Sequence, residues 1–129
     1  ITRGARPGVP PTQIFPALVQ TGLRERGLAA AVHNVGIGSE RTDLALERLD
    51  RDVISQRPHL VTIMYGTNDG WVDKGKTESR LSVERYTENL RTLVGRLRAA
   101  RIPPVLMTEP RFGEENQRNG RGEGWRNVH

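Results

Sequence analysis

The chain has 129 residues, room for one domain with one ordinary hydrophobic core. Its 20 Lys and Arg outnumber 15 Asp and Glu for a net charge of +5, yet they are interspersed with acids, as in "LERLDRD". That argues against a clustered phosphate footprint and so against a nucleic-acid partner. The absence of cysteine excludes disulfides and thiolate chemistry, and no apolar run approaches the roughly 20 residues of a membrane span.

The first predicted element is a helix over residues 12–26. Thr12 can cap it, Pro16 is tolerable near its first turn, Gly27 suits its end, and Ile14, Leu18, Val19 and Leu23 share one side. "AAAVHNV" (29–35) follows as a short buried strand. After the turn "GIGSERT", a second helix is expected over 42–56 with Leu46, Leu49 and Val53 inward, closed by Arg57-Pro58. "HLVTIMY" (59–65) is apolar almost throughout, the pattern of a strand covered on both faces.

The polar stretch "GTNDGWVDKGKTESR" leads to the longest helix, over 82–101. Its inner face is Val83, Tyr86, Leu90, Leu93, Val94 and Leu97. Ile102-Pro103-Pro104 breaks it, "VLMTE" (105–109) is a third strand, and residues 110–129 read as loop. Alternation of helix and strand predicts an α/β fold with a parallel sheet and helices on both sides. Ligands of such sheets bind beyond the carboxyl ends of the strands, where both "GIGSERT" and "GTNDG" fall.

Two glycine motifs fail on inspection. A dinucleotide fingerprint needs a third glycine where Arg41 stands, and a nucleophile elbow around Ser39 needs glycine at the same place. A nucleotide-binding α/β domain is therefore a minor alternative. His33 lies in the expected strand, and His59 opens the next strand at the edge away from the chemistry. No pair of histidines shares a helix face, and no carboxylate cluster has ligand spacing, so no metal site is expected.

Three stretches in order resemble the GDSL/SGNH hydrolase family. Ile1-Thr2-Arg3-Gly4 is similar to the continuation of its Gly-Asp-Ser block, and "NVGIGSERT" to its Asn-x-Gly-x-x-Gly block. Gly66-Thr67-Asn68-Asp69 matches its Gly-x-Asn-Asp block in full. The resemblance implies a flavodoxin-like three-layer α/β/α fold, incomplete in this chain. It further implies a single partial domain over 1–129, with the nucleophilic serine before Ile1 and the Asp-x-x-His block after His129. The first strand of that family would lie between the strands at 29–35 and 59–65. The 129 residues alone are accordingly expected to be unstable or misassembled, and inactive.

By the same resemblance the protein is a serine-type hydrolase of acyl or acetyl esters, including carbohydrate esters, with no metal or cofactor. A tetrahedral oxyanion requires donors at about 2.7–3.1 Å, and an asparagine amide supplies one without bringing charge. Asn68 takes that role, with Gly66 and Gly70 bending the loop and Asp69 fixing its turn through nearby backbone N–H groups. The second donor falls on the backbone N–H of Ser39, where the family has glycine. If the position needs positive φ, Gly38 is expected to carry the bend. Arg41 and Trp71, with Lys74 and Lys76, flank the mouth as candidate substrate contacts. Glu114, Glu115 and Glu123 do not precede His129 at the spacing of the Asp-x-x-His block, so His129 is not expected to be catalytic. The competing class is a non-catalytic binding module that keeps the donors of the fold without its machinery.

Overall fold

The computed structural model describes residues 3–4 and 8–109, so the expected loop at 110–129, with His129 and the three acids before it, lies outside the described residues. The chain divides into two compact units, Ile1–Ser39 and Glu40–His129.

In the first unit a 3-10 turn, Pro11–Gln13, precedes helix α1, Phe15–Glu25. Thr12 sits inside that turn rather than capping the helix, because the N-cap is Ile14 and makes no side-chain bond. Pro16, at the second helical position, lacks only an N–H that would have no intrahelical acceptor there. The end of α1 is a Schellman closure: Leu28 N–H donates to the Leu23 carbonyl (3.0 Å) and Gly27 N–H to that of Arg24 (2.9 Å). Gly27 takes φ +76°, which costs glycine little.

The strand expected at 29–35 is not formed. A strand exists through its ladder, and among the described residues no strand pairs with this segment. Val32 donates to the Gln20 side chain (2.9 Å), and Asn34 Oδ1 accepts from Gly36 N–H (3.0 Å), bending the chain. Val35 and Ile37 are exposed, and so is His33.

The second unit holds α2 (Thr42–Asp52), a 3-10 turn (Ile54–Gln56), β1 (Val61–Ile63), α3 (Val83–Ala99) and β2 (Pro104–Leu106). The helix expected over 42–56 thus ends at Asp52, and Arg57 takes the left-handed φ of +48° before Pro58. Helix α3 begins at Ser82, whose hydroxyl accepts from Arg85 N–H (3.2 Å). It ends in a second Schellman closure: Arg101 at φ +61°, and Ile102 N–H bonded to the Leu97 carbonyl (2.9 Å). Ile102 and Leu97, both buried, supply the apolar contact that accompanies this motif.

Strands β1 and β2 are parallel, with Val61 opposite Pro104, Thr62 opposite Val105 and Ile63 opposite Leu106. With α3 between them they form a β-α-β unit, the connection that parallel strands require. Ala45 and Leu49 of α2, Leu93 and Leu97 of α3, Ile63 and Ile102 make one core, with Val61 and Tyr65 against it. Both helices therefore cover the face of β1 that carries Val61, Ile63 and Tyr65. On the other face Leu60 and Val105 are 53% and 42% exposed, so the two-sided cover expected from the apolar run is not supplied by this unit. Among the described residues no helix is long and apolar enough to cross a membrane.

Candidate active site

Beyond the carboxyl end of β1 the chain turns sharply through residues 66–70. Gly66 takes φ +135°, and Gly70 N–H closes the turn on the Gly66 carbonyl (2.7 Å). Thr67 N–H donates to Glu109 Oε1 (2.8 Å), and Leu81 N–H to the Asp69 carbonyl (3.0 Å), so the loop is tied on both sides.

Asp69 is 2% exposed and its Oδ1 accepts from both the backbone N–H of Thr42 (2.9 Å) and the Thr42 hydroxyl. The expectation was a bond within its own turn. It instead binds the first N–H of α2, one of the donors a helix start leaves without an intrahelical partner, where the helix dipole favours an anion. The Thr42 hydroxyl in turn accepts from Asn89 Nδ2 of α3 (3.0 Å). Asp69, Thr42 and Asn89 are thus a buried polar chain linking the loop to both helices.

Asn68, half-buried, donates through Nδ2 to the main-chain carbonyl of Glu40 (3.1 Å). An amide nitrogen has two hydrogens. The Glu40 carbonyl takes one and fixes the plane; the second has no acceptor among the described residues. The arrangement is a neutral donor with a set direction at the end of a strand.

Glu40 itself is buried. Its carboxylate accepts from Arg48 Nε and Nη2 at 2.6 Å each and from the Tyr65 hydroxyl. Arg48 also reaches Asp52 (3.2 Å). Burial and the neighbouring carboxylate hold the Tyr65 phenol well above its ordinary pKa, and burial pushes that of Tyr86 up to about 12. The Tyr86 hydroxyl donates to the Tyr65 carbonyl (2.8 Å), so the end of β1 is anchored to α3 as well.

Arg41 lines an open groove of about 430 Å³ with Asp73, Lys76, Thr77, Glu78, Ser79 and Arg80. Its guanidinium is paired with Asp43 through two bonds (3.0 and 2.8 Å), which hold the Asp43 carboxyl below the usual range. Arg80 is paired likewise with Asp73 and lies 5.7 Å over the Trp71 ring. Trp71 is therefore beside the groove rather than among its lining residues, with one ring face under a guanidinium.

Ser39 ends the first unit with φ +62°, while Gly38 stays outside the left-handed region. The bend thus falls on serine and not, as expected, on the glycine before it. A Cβ on Gly38 would stand 2.9 Å from Arg3 Nη1, the end of a flexible side chain that can move aside, so neither φ nor crowding demands glycine there.

Glu40, Arg48, Thr42, Tyr65 and Asn89 escaped the reading of the sequence as parts of the site. One signal for Asn89 was present: a short amide among Tyr86, Leu90 and Leu93 on a helix face that is otherwise apolar.

A family model described as GDSL-like lipase/acylhydrolase matches residues 1–129. An uncharacterized lipoprotein of Bacillus subtilis (strain 168), YqeF, is 41% identical over 76 residues, 58% of this chain and 30% of that protein. The crystal structure of a lipase/acylhydrolase from Enterococcus faecalis is 27% identical with a TM-score of 0.65, covering 84% of this chain and 54% of that one. An acetyl xylan esterase, AlAXEase, shares the fold at 22% identity and a TM-score of 0.68, covering 83% and 55%. The chain thus spans about a third of that curated relative and about half of those two solved structures.

Proposed function

Because the chain belongs to the GDSL-like lipase/acylhydrolase family, we propose that it is the interior part of a serine-type ester hydrolase whose oxyanion is received by Asn68. In such a reaction a serine oxygen attacks the ester carbonyl, the alcohol leaves, and water releases the acyl group from the serine. The negative charge that develops on the carbonyl oxygen needs donors already in place. The observation that carries the reading is the fixed amide of Asn68, held by the Glu40 carbonyl and left with one hydrogen to give.

The main-chain N–H of Ser39 is the second donor in this proposal, on the strength of the family's block pattern. The nucleophile and the Asp/His pair come from parts of the protein outside residues 1–129. The substrates are acyl or acetyl esters, carbohydrate esters among them, with Arg41 and Trp71 contacting the alcohol portion.

The test is hydrolysis of a chromogenic acetyl ester by the full-length protein, with and without Asn68→Ala. Loss of one such donor is expected to lower kcat by about 10²–10³. Equal rates for the two proteins would remove Asn68 from the mechanism. No hydrolysis by the unsubstituted protein would favour a non-catalytic binding module instead.

A further inference from the structure

We propose that Glu40 is a positioning residue for the oxyanion donor: its carboxylate, clamped by Arg48 and Tyr65, sets the direction of the Asn68 amide through its own main-chain carbonyl. The inference rests on the hydrolase reading above and deepens it, since it concerns how the same site is held.

The geometry is a relay. Glu40 stands two residues before α2, and its side chain reaches Arg48, in the second turn of that helix, through two 2.6 Å bonds. The Tyr65 hydroxyl, two residues beyond β1, donates to the same carboxylate. The Glu40 backbone is therefore fixed between a helix and a strand end, and its carbonyl accepts from Asn68 Nδ2 at 3.1 Å. A carbonyl in a freely moving loop would leave the amide free to turn about its last torsion, which has broad minima. With the carbonyl pinned, rotation of the amide breaks the bond.

The bland alternative is a buried ion pair that only holds the fold together. Buried pairs of this kind are weak evidence for stability, because desolvation offsets most of the attraction. The two roles separate in kinetics. In the full-length protein Glu40→Gln is expected to lower kcat on a chromogenic acetyl ester about 10- to 100-fold, the scale of a misplaced catalytic group. KM is expected to stay within about twofold, since the donor acts in the transition state rather than in binding. In an Asn68→Ala background the same substitution should lower kcat less than about threefold, because the group it positions is gone.

Losses that multiply in the double variant, or a raised KM with unchanged kcat, would overturn the proposal. Should Glu40→Gln fail to fold by far-UV circular dichroism, Tyr65→Phe decides. It keeps the ring and removes one donor, and is expected to give a smaller loss of kcat that disappears in the Asn68→Ala background. Wild-type kcat for Tyr65→Phe, or a loss that persists there, rejects the relay. An unsubstituted protein without ester hydrolysis rejects the hydrolase reading itself, a separate outcome.

Discussion

Thr42→Val tests whether the buried polar chain contributes net stability. The side chain is fully buried, and valine has nearly the same shape with a methyl in place of the hydroxyl. No cavity opens; what changes is bonding. The hydroxyl's bond to the Asp69 carboxylate is of the charged kind, worth roughly 1.5–3 kcal/mol, and the bond from Asn89 is of the neutral kind, roughly 0.5–1.5 kcal/mol. Asp69 retains the Thr42 backbone N–H, so its charge is not abandoned, whereas Asn89 loses the hydroxyl to which its amide donates. The expected cost is about 2–4 kcal/mol. Thr42→Ser keeps both bonds and removes only a methyl group, at about 1 kcal/mol. The assay is urea unfolding of the full-length protein, with midpoints compared at equal slope. If valine costs no more than serine, the polar chain adds nothing and packing alone places the loop.

Ser39 and Arg101 hold left-handed φ values of +62° and +61°. Glycine at either is expected to stabilise the protein by up to about 1 kcal/mol, read as a higher urea midpoint; a lower midpoint for both would refute the strain argument. The phenol of Tyr86 ionises near 10 when unfolded and near 12 in the fold. Between those values only the unfolded chain loses the proton, so stability present below pH 10 is expected to fall as pH rises toward 12, with Tyr65 acting in the same direction. Unfolding midpoints measured from pH 8 upward should show that slope, and Tyr86→Phe should flatten it. Residues 1–129 expressed alone are expected to hydrolyse no chromogenic acetyl ester, and turnover by that piece would remove the need for a serine outside it.

The helices were legible because their information is local. Leu93 and Leu97 recur at helical spacing, Ser82 is a short polar side chain at the right place to accept an N–H, and the Pro pair after Ile102 stops what precedes it. The loop at 66–70 was legible for the same reason, its glycines and short polar residues lying side by side. The strand at 29–35 misled because an apolar run shows what is insoluble, not what pairs with it. Among the described residues no strand pairs with it, and one of its N–H groups, that of Val32, goes to the Gln20 side chain. The partners of Asp69 and Glu40 were illegible on different grounds. Thr42 is 27 residues from Asp69, and 47 from Asn89, and no periodicity links such positions. Arg48 reads from the sequence as one more solvated charge in "LERLDRD", and only the closed fold turns it inward against Glu40.

The choice of polar rather than apolar groups behind the loop has a physical reason. Apolar packing is close-fitting but not directional, and a loop resting on leucines can slide by fractions of an ångström at little cost. Hydrogen bonds weaken steeply when bent, so a donor held by one keeps its angle as well as its place. Thr42 and Glu40 flank Arg41 at the start of α2, and each grips one of the two consecutive residues Asn68 and Asp69. Two neighbouring residues gripped from two sides fix the loop against both translation and twist. A group that must meet a charge only as it forms needs that orientation beforehand, since reorienting it during the reaction would return to the barrier what the bond removes. For this reason the loss of turnover on altering the Glu40–Arg48–Tyr65 cluster should disappear once Asn68 is alanine, whereas the loss of stability from breaking a buried ion pair should persist there.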